Sequence, residues 1–262
     1  MLSQQQIKHY ETFGFVILRD YLTPQEMETL ESEFELGLDA AYSHEQFDGT
    51  QRQWTPLMGP ETPFFAGLPE DARFHEVAEQ LYGEDCFLIV CDGNRYVGDT
   101  GWHPDHRIDP AEDCWGVKFA IYLDSVGAET GALRVVTGSH RNPYHDEVKT
   151  NLAETRPAID EVPSFVCESE PGDVVAFDMR CWHASCGGSN GRRMSTAVYY
   201  INPKTPVEEE GMRNRARTSR NTTAQYRRPD DPKYDPHWLS NPDGNERRSR
   251  WIGRLREFGF VD

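Results

Sequence analysis

The residues best suited to chemistry lie in one short motif, Gly101-Trp102-His103-Pro104-Asp105. In an extended segment, side chains two residues apart point to the same face, so His103 and Asp105 can both reach one ion. An imidazole nitrogen and a carboxylate oxygen fill two of the three places in the 2-His-1-carboxylate set of non-haem iron sites. A His-x-Asp sequence often occurs by chance, so this interpretation needs a further histidine from a distant strand.

His183 is the candidate for the third ligand. It ends a β-type run that starts at the turn Pro171-Gly172-Asp173, and a glycine-rich turn follows it. Two arginines come shortly afterwards, Arg192 and Arg193, at the start of the next β-type run. The sequence therefore predicts a metal site built from His103, Asp105 and His183.

Helices are predicted before the metal motif, and strands around and after it. Residues 23–26 begin a helix, because a capping threonine is followed by proline and by glutamate three residues after the cap. Residues 43–69 are rich in glycine, proline and polar groups, which indicates a long loop able to act as a lid. Short β-type runs follow from Cys86 onward, which favours a sandwich or a barrel. These runs are 86–91, 117–123, 132–136, 164–168, 173–178 and 194–201.

Four motifs occur in a distinctive order. Residues 14–18 precede the helix that starts with Thr-Pro, and residues 99–105 contain the His-x-Asp pair. Residues 123–140 run from an acidic-glycine turn to Gly-Ser-His, and the turn at 171–173 leads to His183 and its arginines. In this order the motifs resemble the phytanoyl-CoA dioxygenase family of iron- and 2-oxoglutarate-dependent oxygenases. The resemblance covers most of residues 1–203.

The resemblance implies a mainly β fold with flanking helices, a double-stranded β-helix or jelly-roll with N-terminal helices packed on one sheet. It also implies that His103, Asp105 and His183 bind Fe(II), and that a later arginine binds the far carboxylate of the co-substrate 2-oxoglutarate. Arg193 aligns better with the family pattern, and Arg192 is the alternative. Three protein ligands leave three positions on an octahedral ion, two for the keto acid and one for O₂.

Four other residues are candidate co-substrate contacts. Lys118 and Tyr122 alternate with Ala120 on one predicted strand, although a core strand with a lysine reaching towards solvent explains them equally well. Asn94 and Thr100 precede the metal motif and are expected to line its cavity.

The remaining histidines are expected to have structural or surface positions. The resemblance implies that His140 caps a turn. An extended segment would point His106 away from the metal, towards solvent or the rim of the site. Five further histidines have no partner motif and are predicted to lie at the surface: His9, His44, His75, His145 and His237.

The charge of the chain limits the classes of partner. Lys and Arg total 27 and Asp and Glu total 44, which gives a formal net charge of −17. This charge argues against a nucleic-acid backbone or an anionic membrane as a partner. No apolar run approaches the ~20 residues of a membrane span, and there is no apolar signal region, so a cytoplasmic protein is expected. The expected partner is a small-molecule substrate, and the sequence leaves the oligomeric state open.

A boundary is predicted near Pro203. Residues 1–203 would form the oxygenase domain, with N-terminal helices in 1–84 and the jelly-roll in 85–203. Residues 204–262 would form an Arg- and Pro-rich extension with a closing helix at 245–258. From Glu208 onward the chain contains 12 of its 27 basic residues but only 10 of its 44 acidic ones, which suggests a separate appendage or a basic flap over an acidic body.

The function favoured by these features is hydroxylation of a small molecule with Fe(II), 2-oxoglutarate and O₂. Two alternatives stay open at this point. The first is an enzyme that uses the same oxidative chemistry for desaturation or ring formation. The second is a metal-binding jelly-roll without catalytic activity.

Overall fold

The computed structural model describes residues 1–109, 114–222 and 234–262, with the main chain alone for 219–222. Within these residues, ten strands form two antiparallel sheets, in the order β1-β8-β5-β10-β3-β2 and β4-β9-β6-β7. This arrangement confirms the predicted jelly-roll with flanking helices. The strands are β1 Phe15–Leu18, β2 Gln53–Pro56, β3 Phe87–Tyr96, β4 Thr100–His103, β5 Gly116–Tyr122, β6 Leu133–Val135, β7 Phe165–Cys167, β8 Val174–Asp178, β9 His183–Ser185 and β10 Arg192–Tyr200.

The larger sheet has two different faces. On β5, Val117, Phe119 and Ile121 belong to a large apolar cluster shared with the helices. Ala120 and Tyr122 alternate with them and belong to a smaller apolar cluster shared with the smaller sheet. This alternation follows from the two-residue period of a strand, and it defines an outer face towards the helices and an inner face towards the second sheet.

Eight helices surround the sheets in the described residues. They are α1 Gln4–Phe13, α2 Pro24–Ala41, α3 Pro63–Gly67, α4 Ala72–Tyr82, α5 Tyr144–Thr155, α6 Pro206–Thr222, α7 Pro236–Ser240 and α8 Glu246–Phe258. The predicted capping box of α2 is present, because Thr23 accepts from the Glu26 amide and Glu26 accepts from the Thr23 amide. None of the described helices is both long enough and apolar enough to cross a bilayer.

The segment 43–69 is more ordered than predicted. It contains β2, which pairs with β3 at the edge of the larger sheet, and the short helix α3. The carboxylate of Glu33 on α2 accepts hydrogen bonds of 3.0 Å from the amides of Phe64 and Phe65. A single buried acidic side chain thus satisfies two of the open amides at the start of α3, which the sequence around α3 does not reveal.

The C-terminal extension contributes helices to the outer face. The predicted polar stretch 204–244 contains α6, which was not expected. The closing helix is confirmed as α8, and it packs on the larger sheet: Trp251 donates to the carbonyl of Cys86 at 3.1 Å, and Phe258 stacks on Phe87 at 5.9 Å.

Candidate active site

The pairing of β4 with β9 brings the two predicted histidine ligands together. β4 ends at His103 and β9 begins at His183, and these residues are direct partners in the antiparallel ladder. Their ring centroids are 4.4 Å apart. Asp105 follows two residues after β4, and the ligand atoms of the three side chains all lie within 4.8 Å of one another. The fold therefore forms the predicted cluster from segments about eighty residues apart in the chain.

Backbone carbonyls fix the orientation of both imidazoles. Nδ1 of His103 lies 2.7 Å from the carbonyl of Gly101, and Nδ1 of His183 lies 2.9 Å from the carbonyl of Cys181. When Nδ1 carries the proton and donates it, Nε2 is left as a free acceptor. Two such nitrogens and one carboxylate oxygen match the donor set that non-haem Fe(II) uses.

The electrostatics of the cluster suit metal binding at neutral pH. Burial opposes ionisation of Asp105, but the charge of Lys118, followed by His183 and His103, outweighs it and holds the pKa of Asp105 well below its usual range. Burial is also the main reason that the pKa of His183 falls to about 4. The carboxylate is therefore ionised and His183 is neutral, which are the protonation states that bind a cation.

The three side chains line a cavity of 140 Å³ between the sheets. Four of the predicted co-substrate residues also line it: Thr100, Lys118, Tyr122 and Arg192. Nζ of Lys118 lies 2.6 Å from Oδ2 of Asp105, so this lysine contacts a ligand of the metal cluster directly. Lys118 therefore does not extend to solvent, which was the alternative interpretation of its strand.

Arg192 reaches into this cavity from the first position of β10. Its Nη1 donates to the carbonyl of Ser189 and its Nη2 to the carbonyl of Gly98, both at 2.9 Å. These two bonds fix the plane of the guanidinium group. Gly131 and Gly188 leave the space that this side chain occupies, since a Cβ at either position would collide with it.

Arg193 lies on the outer face, away from the cavity. Its guanidinium group binds Asp124 at 2.6 Å, Glu31 at 2.5 Å and Glu35 at 3.1 Å. Arg193 was the preferred candidate for binding 2-oxoglutarate, but the structure places Arg192, and not Arg193, in the cavity. Adjacent strand residues point to opposite faces, so an error of one residue in the register exchanges the two arginines.

Replacing Gly131 by alanine is expected to weaken 2-oxoglutarate binding about tenfold, because the new Cβ would lie 2.7 Å from Cδ of Arg192 and displace its guanidinium group. Gly131 also has a φ of +91°, so the substitution adds backbone strain. Gly138→Ala is the matched control, with a φ of +79° and its nearest atom 3.6 Å away. Calorimetric titration of both variants separates the two effects. Equal losses of affinity in both variants would contradict a role through Arg192.

Arg52 is a cavity residue that the sequence interpretation missed. It comes directly before β2, and its guanidinium carbon lies 4.0 Å from the ring centroid of Tyr96. Its Nε donates to Oδ1 of Asn94 at 3.1 Å. Asn94 does not itself line the cavity in the described structure, but it holds a residue that does. An arginine in a segment predicted to be a loop has no distinguishing pattern, so only the β2–β3 pairing identifies it.

Three of the other histidine predictions are wrong. His75 on α4 is buried. His106 is buried and packs edge-on against Tyr200 at 5.0 Å, and its main-chain amide donates to the carbonyl of Met179 at 3.0 Å. His145 is also buried, and its Nδ1 lies 2.9 Å from the carbonyl of Ser139. His140 is a buried residue whose Nε2 lies 3.2 Å from the carbonyl of Glu11, in agreement with a structural role.

A jelly-roll with a His-Asp-His cluster able to hold a metal ion is the arrangement expected of a metal-dependent oxygenase, and comparison with known proteins identifies the family. The model of the phytanoyl-CoA dioxygenase (PhyH) family matches residues 10–195. The chain belongs to this family, as its four motifs predicted. Thr100, the metal cluster and Arg192 all fall within the matched residues.

Similar proteins include several dioxygenases. Ectoine dioxygenase from Halomonas elongata is 24% identical over 93% of this chain and 80% of its own length. Dioxygenase sphC from Aspergillus fumigatus is 23% identical over 68% of this chain, which spans about half (52%) of the sphC sequence.

Solved structures share the fold. The EctD structure from S. alaskensis with bound Fe has a TM-score of 0.59 at 19% identity, covering 79% of this chain and 80% of that one. HygX from Streptomyces hygroscopicus, with nickel and 2-oxoglutarate bound, has a TM-score of 0.59 at 20% identity. The matched region covers 77% of this chain and 87% of the HygX chain.

Proposed function

We propose that this chain is an Fe(II)- and 2-oxoglutarate-dependent dioxygenase that hydroxylates a small-molecule substrate. The observation that carries the proposal is the placement of His103, Asp105 and His183 within 4.8 Å of one another in a cavity that also contains Arg192. A metal cluster alone needs no second cationic group. An arginine whose plane is fixed inside the same cavity supplies the binding group for a carboxylate.

Each residue of the site has a separate role in the proposed reaction. The three ligands would hold the iron, which with 2-oxoglutarate and O₂ supplies the oxidising chemistry and yields succinate and CO₂. Arg192 would bind the distal carboxylate of 2-oxoglutarate and so orient its keto end towards the metal. Thr100 and Tyr122 supply polar contacts in the same cavity. Lys118 keeps Asp105 ionised and limits its rotation through their contact.

The wall formed by the inner face protects this chemistry from water. Phe177, Leu133 and Met194 line the cavity beside the ligands. A low-dielectric wall strengthens the charge interactions of Arg192 and Lys118 and keeps bulk water from the reacting atoms. The names of the relatives support the same activity, since they are dioxygenases, and HygX holds 2-oxoglutarate with nickel.

Anaerobic titration of the Fe(II)-loaded protein with 2-oxoglutarate tests the proposal. Chelation of a keto acid to an iron held by this ligand set is expected to give a weak visible absorption band near ~500 nm. Iron bound without the band would contradict co-substrate binding and favour a non-catalytic metal-binding protein.

Hydroxylation is tested separately with ¹⁸O₂. Incorporation of one labelled oxygen atom into the substrate, together with succinate release, is the expected result. Loss of two hydrogens without label would instead identify desaturation or ring formation.

A further inference from the structure

Two turns meet beside Arg192 at one end of the ladder between β4 and β9. The first turn, residues 97–99, connects β3 to β4, and the second turn, residues 186–191, connects β9 to β10. The other end of the ladder pairs His103 with His183. The same two segments therefore carry the two turns at one end and both proposed histidine ligands at the other.

Each turn binds the other through one side chain. Oδ1 of Asn190, in the second turn, accepts from the Gly98 amide at 2.9 Å. Oδ1 of Asp99, in the first turn, accepts from the Gly187 amide at 3.0 Å. Nδ2 of Asn190 also donates to the carbonyl of Gly49, in the loop before β2, at 2.9 Å. Since a main-chain amide can only donate and a carbonyl can only accept, these partners fix the orientation of the Asn190 side-chain amide.

Arg192 is bound to both turns. Its two terminal nitrogens donate to the carbonyls of Gly98 and Ser189, which lie one in each turn. Gly98 is thus bonded through its amide to Asn190 and through its carbonyl to Arg192. Gly188 lies against the same side chain, where an added Cβ would be 2.3 Å from Cδ of Arg192. The position of the guanidinium group therefore depends on how the two turns are held relative to each other.

The side chains that join the turns lie outside the cavity. Asn190 and Asp99 are exposed, whereas Arg192 is buried. Neither Asn190 nor Asp99 lines the cavity that contains Arg192. An exposed polar residue can be replaced without opening a void in the core. An effect of either residue on co-substrate binding would therefore act through the turns and Arg192, and not through direct contact.

We propose that Asn190 and Asp99 are positioning residues for co-substrate binding. By joining the two turns, they hold Arg192 at a set distance from the metal cluster, and this distance selects a keto acid with the length of 2-oxoglutarate. An arginine that is already held in place binds a carboxylate with little further loss of side-chain freedom. This assignment rests on the proposed oxygenase function and adds two residues to it that do not touch the co-substrate.

Calorimetric titration of the full chain, loaded with Fe(II) and kept without O₂, tests this role. Asn190→Ala is expected to raise the dissociation constant of 2-oxoglutarate about fivefold, because a less fixed Arg192 binds the distal carboxylate less well. The constant for 2-oxobutyrate, which lacks the distal carboxylate, is expected to stay within about twofold. 2-Oxoadipate is one methylene longer than 2-oxoglutarate, and the preference for 2-oxoglutarate over 2-oxoadipate is expected to decrease in the variant.

Asp99 provides an independent pair of variants. Asp99→Ala is expected to weaken 2-oxoglutarate binding as Asn190→Ala does. Asp99→Asn keeps an acceptor for the Gly187 amide, so it is expected to retain the parent affinity within about twofold. If Asp99 acted only through its charge, both variants would bind the anionic co-substrate more tightly than the parent protein.

Asp235→Ala is the matched control. It also removes a carboxylate that accepts from a main-chain amide, that of His237 at 2.7 Å, but at the start of α7 and outside the cavity. It is expected to leave the affinity for 2-oxoglutarate unchanged. Thermal unfolding of every variant checks that the fold is retained.

A double-mutant cycle tests whether the effect passes through Arg192. In a chain that already carries Arg192→Gln, adding Asn190→Ala is expected to change the affinity by less than about twofold. Three outcomes would overturn the inference: parent affinity in both alanine variants, equal losses for 2-oxoglutarate and 2-oxobutyrate, or an undiminished effect of Asn190→Ala in the Arg192→Gln background.

The visible band of the iron–keto acid complex separates this inference from the proposed function. It is recorded for the parent protein in the same series of samples. A missing band in the parent protein means that the proposed function itself has failed. A normal band together with unchanged affinities in the variants means that only the positioning role has failed.

Discussion

Alanine in place of His183 is expected to remove the visible band of the iron–2-oxoglutarate complex and to lower succinate formation more than about 100-fold. His183 is one of the three proposed metal ligands among the described residues, and its ring is oriented by the carbonyl of Cys181. No other histidine replaces it, because its strand partner His103 is already a ligand. Anaerobic absorption spectra and succinate assays measure the two effects.

The control for this prediction is His237→Ala, since His237 is exposed on α7 and outside the cavity. Thermal unfolding of both variants checks that the fold survives. The triad assignment would be refuted by a folded His183→Ala protein that still gives the band and the parent rate of succinate formation. Loss of the band only in the His237 variant would place the metal elsewhere.

The second large effect separates the two neighbouring arginines. Arg192→Gln is expected to raise the dissociation constant of 2-oxoglutarate about 10- to 100-fold, because loss of one charge-assisted hydrogen bond to a carboxylate costs about 1.5–3 kcal/mol. Arg193→Gln is expected to leave this constant within about threefold, since Arg193 points away from the cavity.

Arg193→Gln is expected to lower the stability of the fold and not the affinity for 2-oxoglutarate. It removes the cation shared by Asp124, Glu31 and Glu35, which should lower the free energy of unfolding by about 1 kcal/mol, as for other partly exposed ion pairs. Calorimetric titration and urea unfolding of the two variants form a reciprocal pair of measurements. If Arg193→Gln alone weakens 2-oxoglutarate binding, the strand register of β10 in solution differs from the one described here.

A comparison of 2-oxoglutarate with 2-oxobutyrate sharpens the assignment of Arg192. The second compound lacks the distal carboxylate, so Arg192→Gln should affect its binding little. An equal loss for both keto acids would indicate that Arg192 acts through the shape of the cavity. Such a cycle isolates one interaction because both partners are removed in turn.

The chemistry of the site was predictable from the sequence because it depends on local patterns. His103 and Asp105 are two residues apart in an extended segment, and His183 follows a turn and a strand, so ligand types and strand ends were both visible. The capping box at Thr23 and the β-type runs also depend only on neighbouring residues. The family motifs then predicted the jelly-roll, and the order of the sheets agrees with it.

The positions of the arginine side chains depend on strand register and on pairing between distant segments, so only the tertiary structure determines them. Arg192 and Arg193 are equivalent in composition, and only the pairing of β10 with β3 and β5 places the first inside and the second outside. Arg52 lines the cavity because β2 pairs with β3. Each of these positions depends on contacts between residues far apart in the chain, whereas the metal motif depends on residues close together. The sequence therefore predicted which groups form the proposed metal cluster, and the packing of the sheets and helices determined which cations face that cluster.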